Sequence, residues 1–371
     1  MPKQLRIIIA GGGTGGHIFP AIAVAQAIQK ILPDAAILFV GAKGKMEMEK
    51  VPQAGYKIIG LTIGGLNRSN LFANWNLPFK LAKSFFQVRS IFKKFKPNAV
   101  FGVGGYSSFP VLKFAQTKNI PTFIHESNAF AGKSNLWLSK GATQIFTGTK
   151  EMDAFFPAHK TIVTGNPVRK NIIETTTTME AALLQFGLLP SRKTLLIIGG
   201  SLGARSINDC ILTNLPQFVE ANIQLIWQTG KSNAREYARA ASNYSNVYVN
   251  SFIDNMSAAY TAADMVVSRA GAMAVAEICI TGKPCVFVPY PLAAEDHQTY
   301  NAMTLVNEGA ALMVADNAVN EKLMSNIMQL IQDKQLTDSI QNKIKHFAML
   351  HADTMIAASI IKNVQEINLN K

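Results

Sequence analysis

Leu5-Arg6-Ile7-Ile8-Ile9-Ala10 runs straight into Gly11-Gly12-Gly13-Thr14-Gly15-Gly16-His17, an apolar strand pattern, a glycine loop and then a helical pattern. The same device returns as Thr194-Leu195-Leu196-Ile197-Ile198 followed by GGSLGAR, Gly199 to Arg205. Glycines let a backbone approach an anionic ligand, and the helix start beyond them offers N–H groups and a positive dipole end. Two copies predict two nucleotide-type α/β domains, and a ligand carrying a diphosphate.

Between and after these loops, strand and helix patterns alternate, the mark of a parallel α/β architecture. In the first half strands are expected near 5–10, 37–40, 99–103, 122–124, 144–147 and 161–163; in the second near 194–198, 224–228, 247–249, 265–268, 285–288 and 311–314. Helical periodicity is clearest over 20–31, 272–281, 298–307 and 321–333. Gly165-Asn166-Pro167 reads as a hinge, because Pro167 bars Asn166 from helical geometry. The expected domains are 1–165 and 166–349, with a last helix within 350–371 folding back on the first. The threonine run Thr175–Thr178 reads as a surface connector.

The 371 residues suffice for about two domains with full cores, and 48% hydrophobic content is that of a globular chain. No stretch approaches the roughly 18 unbroken apolar residues of a membrane span. Lys3 and Arg6 precede a short apolar run that ends in glycines, which is not a signal-peptide pattern. Cys210, Cys279 and Cys285 lack metal-ligand spacing and read as buried thiols of a cytosolic protein. The formal charge is +13, and from Lys50 to His125 there is no Asp or Glu. Such a basic excess serves nucleic acid, an anionic membrane or a phosphorylated substrate. No recognition motif accompanies it, which excludes nucleic acid. Leu77, Phe79, Leu81, Phe85, Phe86, Val88, Phe92 and Phe95 interleave with Lys80, Lys83, Arg89, Lys93, Lys94 and Lys96. That is the composition of a helix lying on an anionic membrane.

The first loop satisfies the G-x-G-x-x-G fingerprint, but the next strand ends Phe39-Val40-Gly41-Ala42-Lys43 without the acid that holds a ribose in NAD sites. Lys43 and Lys45 keep an NADP reading open. His17, at the helix start beside the anion cradle, is placed either as a base for an incoming hydroxyl or as a packing histidine. Gly104-Gly105-Tyr106, after another apolar strand, binds a second phosphorylated group or makes a tight turn. His125-Glu126-Ser127-Asn128 closes the next strand, at the sheet edge where such folds take ligands. Glu277 sits in an otherwise apolar helix start, suited to accept from a diol. Gln298 begins a helix after Pro289 and Pro291, either reading sugar hydroxyls or simply solvated.

GGGTGGHIFPAIAVA, GVGGYSSFP, HESNAFAGKSN, TGNPVR, GGSLGARSIN, FIDNM, SRAGAMAVAEI and DHQTYNA occur in the order and spacing of one family. Over nearly its whole length the chain resembles the MurG family, the lipid-linked N-acetylglucosaminyltransferases of peptidoglycan synthesis. The resemblance implies a GT-B fold, two Rossmann-like domains facing across a cleft. It implies transfer of N-acetylglucosamine from UDP-GlcNAc to the 4-hydroxyl of undecaprenyl-diphospho-MurNAc-pentapeptide, lipid I, giving lipid II. It further implies a peripheral enzyme on the cytoplasmic face of the inner membrane, serving cell-wall biogenesis, cell shape and division, with other cell-wall synthesis proteins as partners. Carried over by position, Thr14, Gly15 and Gly16 contact the donor, as do Asn128, Arg169 and Ser201. Ile253 meets the uracil, Ala272 and Met273 the nucleotide, Glu277 the ribose and Gln298 the donor sugar. His17 is the candidate base; Gly104, Gly105, Tyr106 and Glu126 lie on the acceptor side. No Asp-x-Asp motif offers a metal site, so no obligatory cofactor or metal is expected. The alternative is another GT-B UDP-sugar enzyme, a glycolipid synthase or an epimerase. Leu202 stands where the family usually has Gln, Ala274 where Thr is common, and Ser127 where Gln is usual.

Overall fold

A computed structural model describes residues 4–64, 75, 77–200 and 202–369. The chain divides into two compact units, Met1–Arg169 with His351–Lys371, and Lys170–Leu350.

The first unit is built on a parallel sheet of β1 (Arg6–Ala10), β2 (Ala36–Ala42), β3 (Lys57–Leu61), β4 (Ala99–Gly102), β5 (Thr122–Glu126), β6 (Gln144–Thr147) and β7 (Thr161–Val163). Their order is β3-β2-β1-β4-β5-β6-β7. Ile7, Ile8 and Ile9 of β1 are all fully buried, as a central parallel strand covered on both faces requires. Each such side chain contributes about 1.5–3 kcal/mol relative to exposure. β3 was not expected: its KIIGL sequence is a short edge strand whose Lys57 and Ile59 face solvent. The helix after the first glycine loop runs Gly15–Ile31 and contains Pro20, so it starts five residues before the periodicity indicated. The helix Ala352–Leu369 packs on it. Ile356, Ala357, Ile360, Ile361 and Val364 form a one-sided apolar stripe in the same core as Ile18, Val24, Ala25 and Ile28.

The second unit holds β8 (Lys193–Ile198), β9 (Ile223–Gln228), β10 (Val247–Asn250), β11 (Met265–Ser268), β12 (Cys285–Phe287) and β13 (Leu312–Met313), all parallel, in the order β10-β9-β8-β11-β12-β13. Thr178, last of the threonine run, caps the helix Met179–Gln185 by accepting the Ala181 N–H. The three cysteines are buried free thiols, and burial pushes Cys279 up to about 12.

Both sheets reverse direction of winding between their first strand and the fourth in sequence, β1 against β4 and β8 against β11. Ligands of open α/β sheets bind outside the strand ends at such switch points. Both main glycine loops leave the sheet there.

Candidate functional site

In the first unit the loops after β1, β4 and β5 meet. Gly105 has φ +80°, and a Cβ there would lie 2.6 Å from the Gly12 carbonyl oxygen, so the two glycine loops touch backbone to backbone. Thr14 is extended and makes no side-chain cap, leaving the helix to open on Gly15 and Gly16. His17 lies in that first turn. Its Nδ1 is 3.3 Å from Thr14 Oγ1, and its Nε2 lies 3.1 Å from where a Gly104 Cβ would be. Tyr106 follows in the same loop; burial, and secondarily the Glu47 charge, raise its phenol. The Arg169 guanidinium stacks over the Phe19 ring at 5.4 Å, which orients it from this same helix.

Beneath this surface is a buried polar lattice. Glu126 is 3% exposed. Its Oε1 accepts from the backbone N–H and Nδ2 of Asn128 (3.1 and 3.2 Å), its Oε2 from the Gly132 N–H (3.0 Å) and Asn135 Nδ2 (2.8 Å). Four donors on one carboxylate make Glu126 the organiser of the 126–135 loop, and it sets the pose of Asn128. His125 is fully buried; Nε2 donates to the Gly165 carbonyl at 3.2 Å, so Nδ1 accepts from Ser127 Oγ at 3.3 Å. Burial lowers its pKa to about 4, against the Gly165 bond, with His17 lowering it further.

In the second unit the described residues among those expected fall on the loops and helices that follow the strands. Gly203 and Gly230 are in such contact that a Cβ on Gly230 would overlap the Gly203 backbone, which ties the loop after β8 to the one after β9. Ser201 lies outside the described residues. Ile253 is buried and its N–H donates to Gln228 Oε1 at 3.0 Å. Ala272 and Met273 open the helix Ala272–Thr281, which has Gly271 as its N-cap and no side-chain cap. Glu277, in that helix, is buried and accepts from the buried Tyr260 hydroxyl at 3.1 Å. Gln298 Oε1 accepts the Tyr290 N–H at 3.0 Å, which directs its amide NH2 outward from that bond. Just before it Glu295 and Asp296 both have left-handed backbone, φ +49° and +51°. Two such non-glycine residues in a row store strain of the kind found at ligand clamps.

Two residues here had no predicted role. Arg269 donates to the Val288 and Pro289 carbonyls (3.1 Å each), to Asp316 (2.6 Å) and to Ser206 Oγ (3.2 Å). It thereby joins the loops following β8, β11, β12 and β13. Glu47 does the same for the first unit and is taken up below. Among the described residues no group of three or more His, Cys, Asp or Glu side chains is placed to hold a metal ion.

The basic segment forms the helix Leu77–Phe95. Ser84, Val88, Ile91 and Phe92 are buried on one side, whereas Phe79 (72% exposed) and Phe86 (73%) face solvent with Lys83, Arg89, Lys93 and Lys94. The apolar residues are therefore split: Val88, Ile91 and Phe92 are in the core, Leu81, Phe85 and Phe95 are half-buried, and Phe79 and Phe86 are presented outward beside the cations. Among the described residues no helix is long and apolar enough to cross a membrane.

Comparison with known proteins places this geometry. Residues 7–147 match the glycosyltransferase family 28 N-terminal domain and residues 194–355 the family 28 C-terminal domain. A UDP-N-acetylglucosamine--N-acetylmuramyl-(pentapeptide) pyrophosphoryl-undecaprenol N-acetylglucosamine transferase of Bacteroides thetaiotaomicron is 48% identical over 372 residues, covering 99% of this chain and 100% of that protein. The crystal structure of Acinetobacter baumannii MurG superposes with TM-score 0.77 at 28% identity, over 97% of this chain and 100% of that one. A UDP-GlcNAc 2-epimerase from Neisseria meningitidis, 17% identical with TM-score 0.68 over 97% of this chain and 100% of that one, shares the fold alone. The tandem of two Rossmann-like units is thus the GT-B class that the sequence implied. With both domains matched in order and the relatives aligned end to end, the chain belongs to glycosyltransferase family 28 and, within it, to the MurG family.

Proposed function

We propose that the protein transfers N-acetylglucosamine from UDP-GlcNAc to the 4-hydroxyl of undecaprenyl-diphospho-MurNAc-pentapeptide, converting lipid I to lipid II. The observation that carries this reading is 48% identity, end to end, to a protein named for that transfer. The second unit takes the donor. Uracil meets the backbone at Ile253, the ribose diol donates to Glu277, and the diphosphate is contacted by Ser201 and the helix start at Ala272 and Met273. Gln298 donates its amide hydrogens to the sugar. The first unit takes the acceptor on Gly104, Gly105 and Tyr106, while its Thr14, Gly15, Gly16, Asn128 and Arg169 contact the donor. Glu126 acts through Asn128 and does not itself touch substrate.

In the reaction the acceptor oxygen attacks the anomeric carbon, its proton passes to His17, and the carbon–oxygen bond to UDP breaks with inversion. In the tautomer that acts as base toward the acceptor, Nδ1–H donates to Thr14 Oγ1 and the basic lone pair of His17 is on Nε2. Charge developing on the diphosphate is met by Arg169 and helix N-termini, and no divalent cation is required. Acceptor-dependent UDP release from UDP-GlcNAc with a soluble lipid I analogue, in the presence of chelator, is the expected result. Release without acceptor dependence overturns the transfer, and loss in chelator restored by metal overturns the metal-free reaction.

The protein works at the cytoplasmic face of the inner membrane, held by the outward side of the helix Leu77–Phe95, and cell-wall synthesis proteins are its partners there. Each basic side chain near an anionic surface contributes about 1 kcal/mol. Replacing Lys83, Arg89, Lys93 and Lys94 together by Glu should therefore lower affinity for phosphatidylglycerol vesicles more than about 10²-fold, with UDP affinity intact. Vesicle sedimentation checks this; equal binding by the two proteins discards the membrane face.

A further inference from the structure

Glu47 opens the helix Glu47–Gln53 just after β2 and is 1% exposed. Its Oε2 accepts the Gly13 N–H at 2.9 Å and its Oε1 the Ala42 N–H at 2.9 Å. It therefore bridges the first glycine loop and the last residue of β2. The fit is close on both sides. A Cβ on Gly41 would lie 2.5 Å from Glu47 Cγ, and one on Gly12 would overlap the carboxylate.

In a dinucleotide-binding Rossmann unit the glycine-loop N–H groups face a pyrophosphate, and an acid at the end of the second strand takes the ribose hydroxyls. Here a carboxylate of the chain itself fills the space between those two places. The Gly13 N–H, which would face a phosphate, is already bound to an anion. We propose that Glu47 is an internal anion that presets the first glycine loop: a positioning residue that fixes Thr14 to His17 for the transfer. The proposal rests on the reading of that loop as part of the transfer site. The two glycine loops then differ in kind, one carrying its own anion and the other receiving the donor's.

Glu47→Gln keeps the shape but turns one acceptor oxygen into an NH2 group, so one of the two backbone N–H groups faces a donor. A displacement of about 1 Å in a catalytic group costs on the order of 10²-fold. Turnover with UDP-GlcNAc and a lipid I analogue, counted per natively folded chain, should fall by about that factor while the UDP dissociation constant is unchanged. A residue that only supports the fold would lower the melting temperature and leave turnover per folded chain as it was; that result overturns the proposal. Should Glu47→Gln not fold, judged by loss of the native circular dichroism and melting transition, Glu47→Asp decides in the same way, since it keeps the charge and shortens the reach. His17→Ala is measured alongside. If His17→Ala is active while Glu47→Gln is not, the base assignment fails and the loop-setting role stands; the reverse pattern removes Glu47 alone.

Discussion

Replacing His17 by alanine lowers turnover by about 10²- to 10⁴-fold, the range a positioned general base supplies, and leaves UDP affinity unchanged. His17 lies in the first unit, whereas Ile253, Glu277 and Gln298, proposed to meet the uracil, the ribose and the donor sugar, belong to the second. Its ring lies against Gly104 and its Nδ1 beside Thr14 Oγ1, which restricts the plane of the ring. A base that acts in the free enzyme gives the acidic limb of the kcat/KM profile. That limb should vanish in His17→Ala, because no proton acceptor is left to titrate. Stopped or continuous UDP-release assays across pH read both effects. A variant that turns over within about tenfold of the unaltered protein, with its acidic limb intact, removes His17 as the base.

The parts of this site that were legible in the sequence are those whose signal is local. A glycine cluster directly after an apolar run marks a strand end and a loop at once, so Gly11–Gly16, Gly104–Gly105 and Gly199–Gly203 were found without any tertiary information. Edge strand β3 was not, since Lys57-Ile58-Ile59-Gly60-Leu61 buries only its last two residues fully and carries a glycine. The periodicity starts the first helix at Pro20, because proline reads as a first helical residue, whereas the helix runs Gly15–Ile31 with Pro20 inside it. Glu47 and Arg269 show a different limit. Glu47 binds backbone N–H groups 34 and 5 residues away, and every residue type offers a backbone N–H, so the pairing leaves no pattern to read. Arg269 finds Asp316 across 47 residues, a distance only the sheet order explains. Glu126 was visible as a carboxylate at a strand end, but its four donors come from a loop whose path the sequence does not state. The departures from the family pattern also become physical. Leu202 is 73% exposed, so a leucine there disturbs no packing, and Ser127 is short enough to donate to the buried His125.

Lowering the pH from about 6.5 to about 4 destabilises the first unit through His125. In the unfolded chain this imidazole titrates at the ordinary 6.5, whereas in the folded unit burial holds it at about 4. Between those values the unfolded state binds a proton that the folded state refuses, so stability rises with pH across the window. The neutral form's contribution is complete above pH 6.5, is lost progressively below it, and the loss ends near pH 4. The span corresponds to roughly 3 kcal/mol. The surroundings explain why the proton is refused: the ring is buried, Nδ1 accepts from Ser127, Nε2 already donates to Gly165, and the neighbouring His17 lowers the pKa a little further. A second ring proton would force the Ser127 hydroxyl to turn from donor to acceptor in a site closed to water. His125→Gln has no titrating group, and its amide retains one donor and one acceptor for the same two partners. Denaturant titrations of both proteins between pH 7 and pH 4 should give a shallower loss of stability for the variant, the two curves converging toward the acid end. Parallel curves would mean that His125 takes up its proton as readily folded as unfolded.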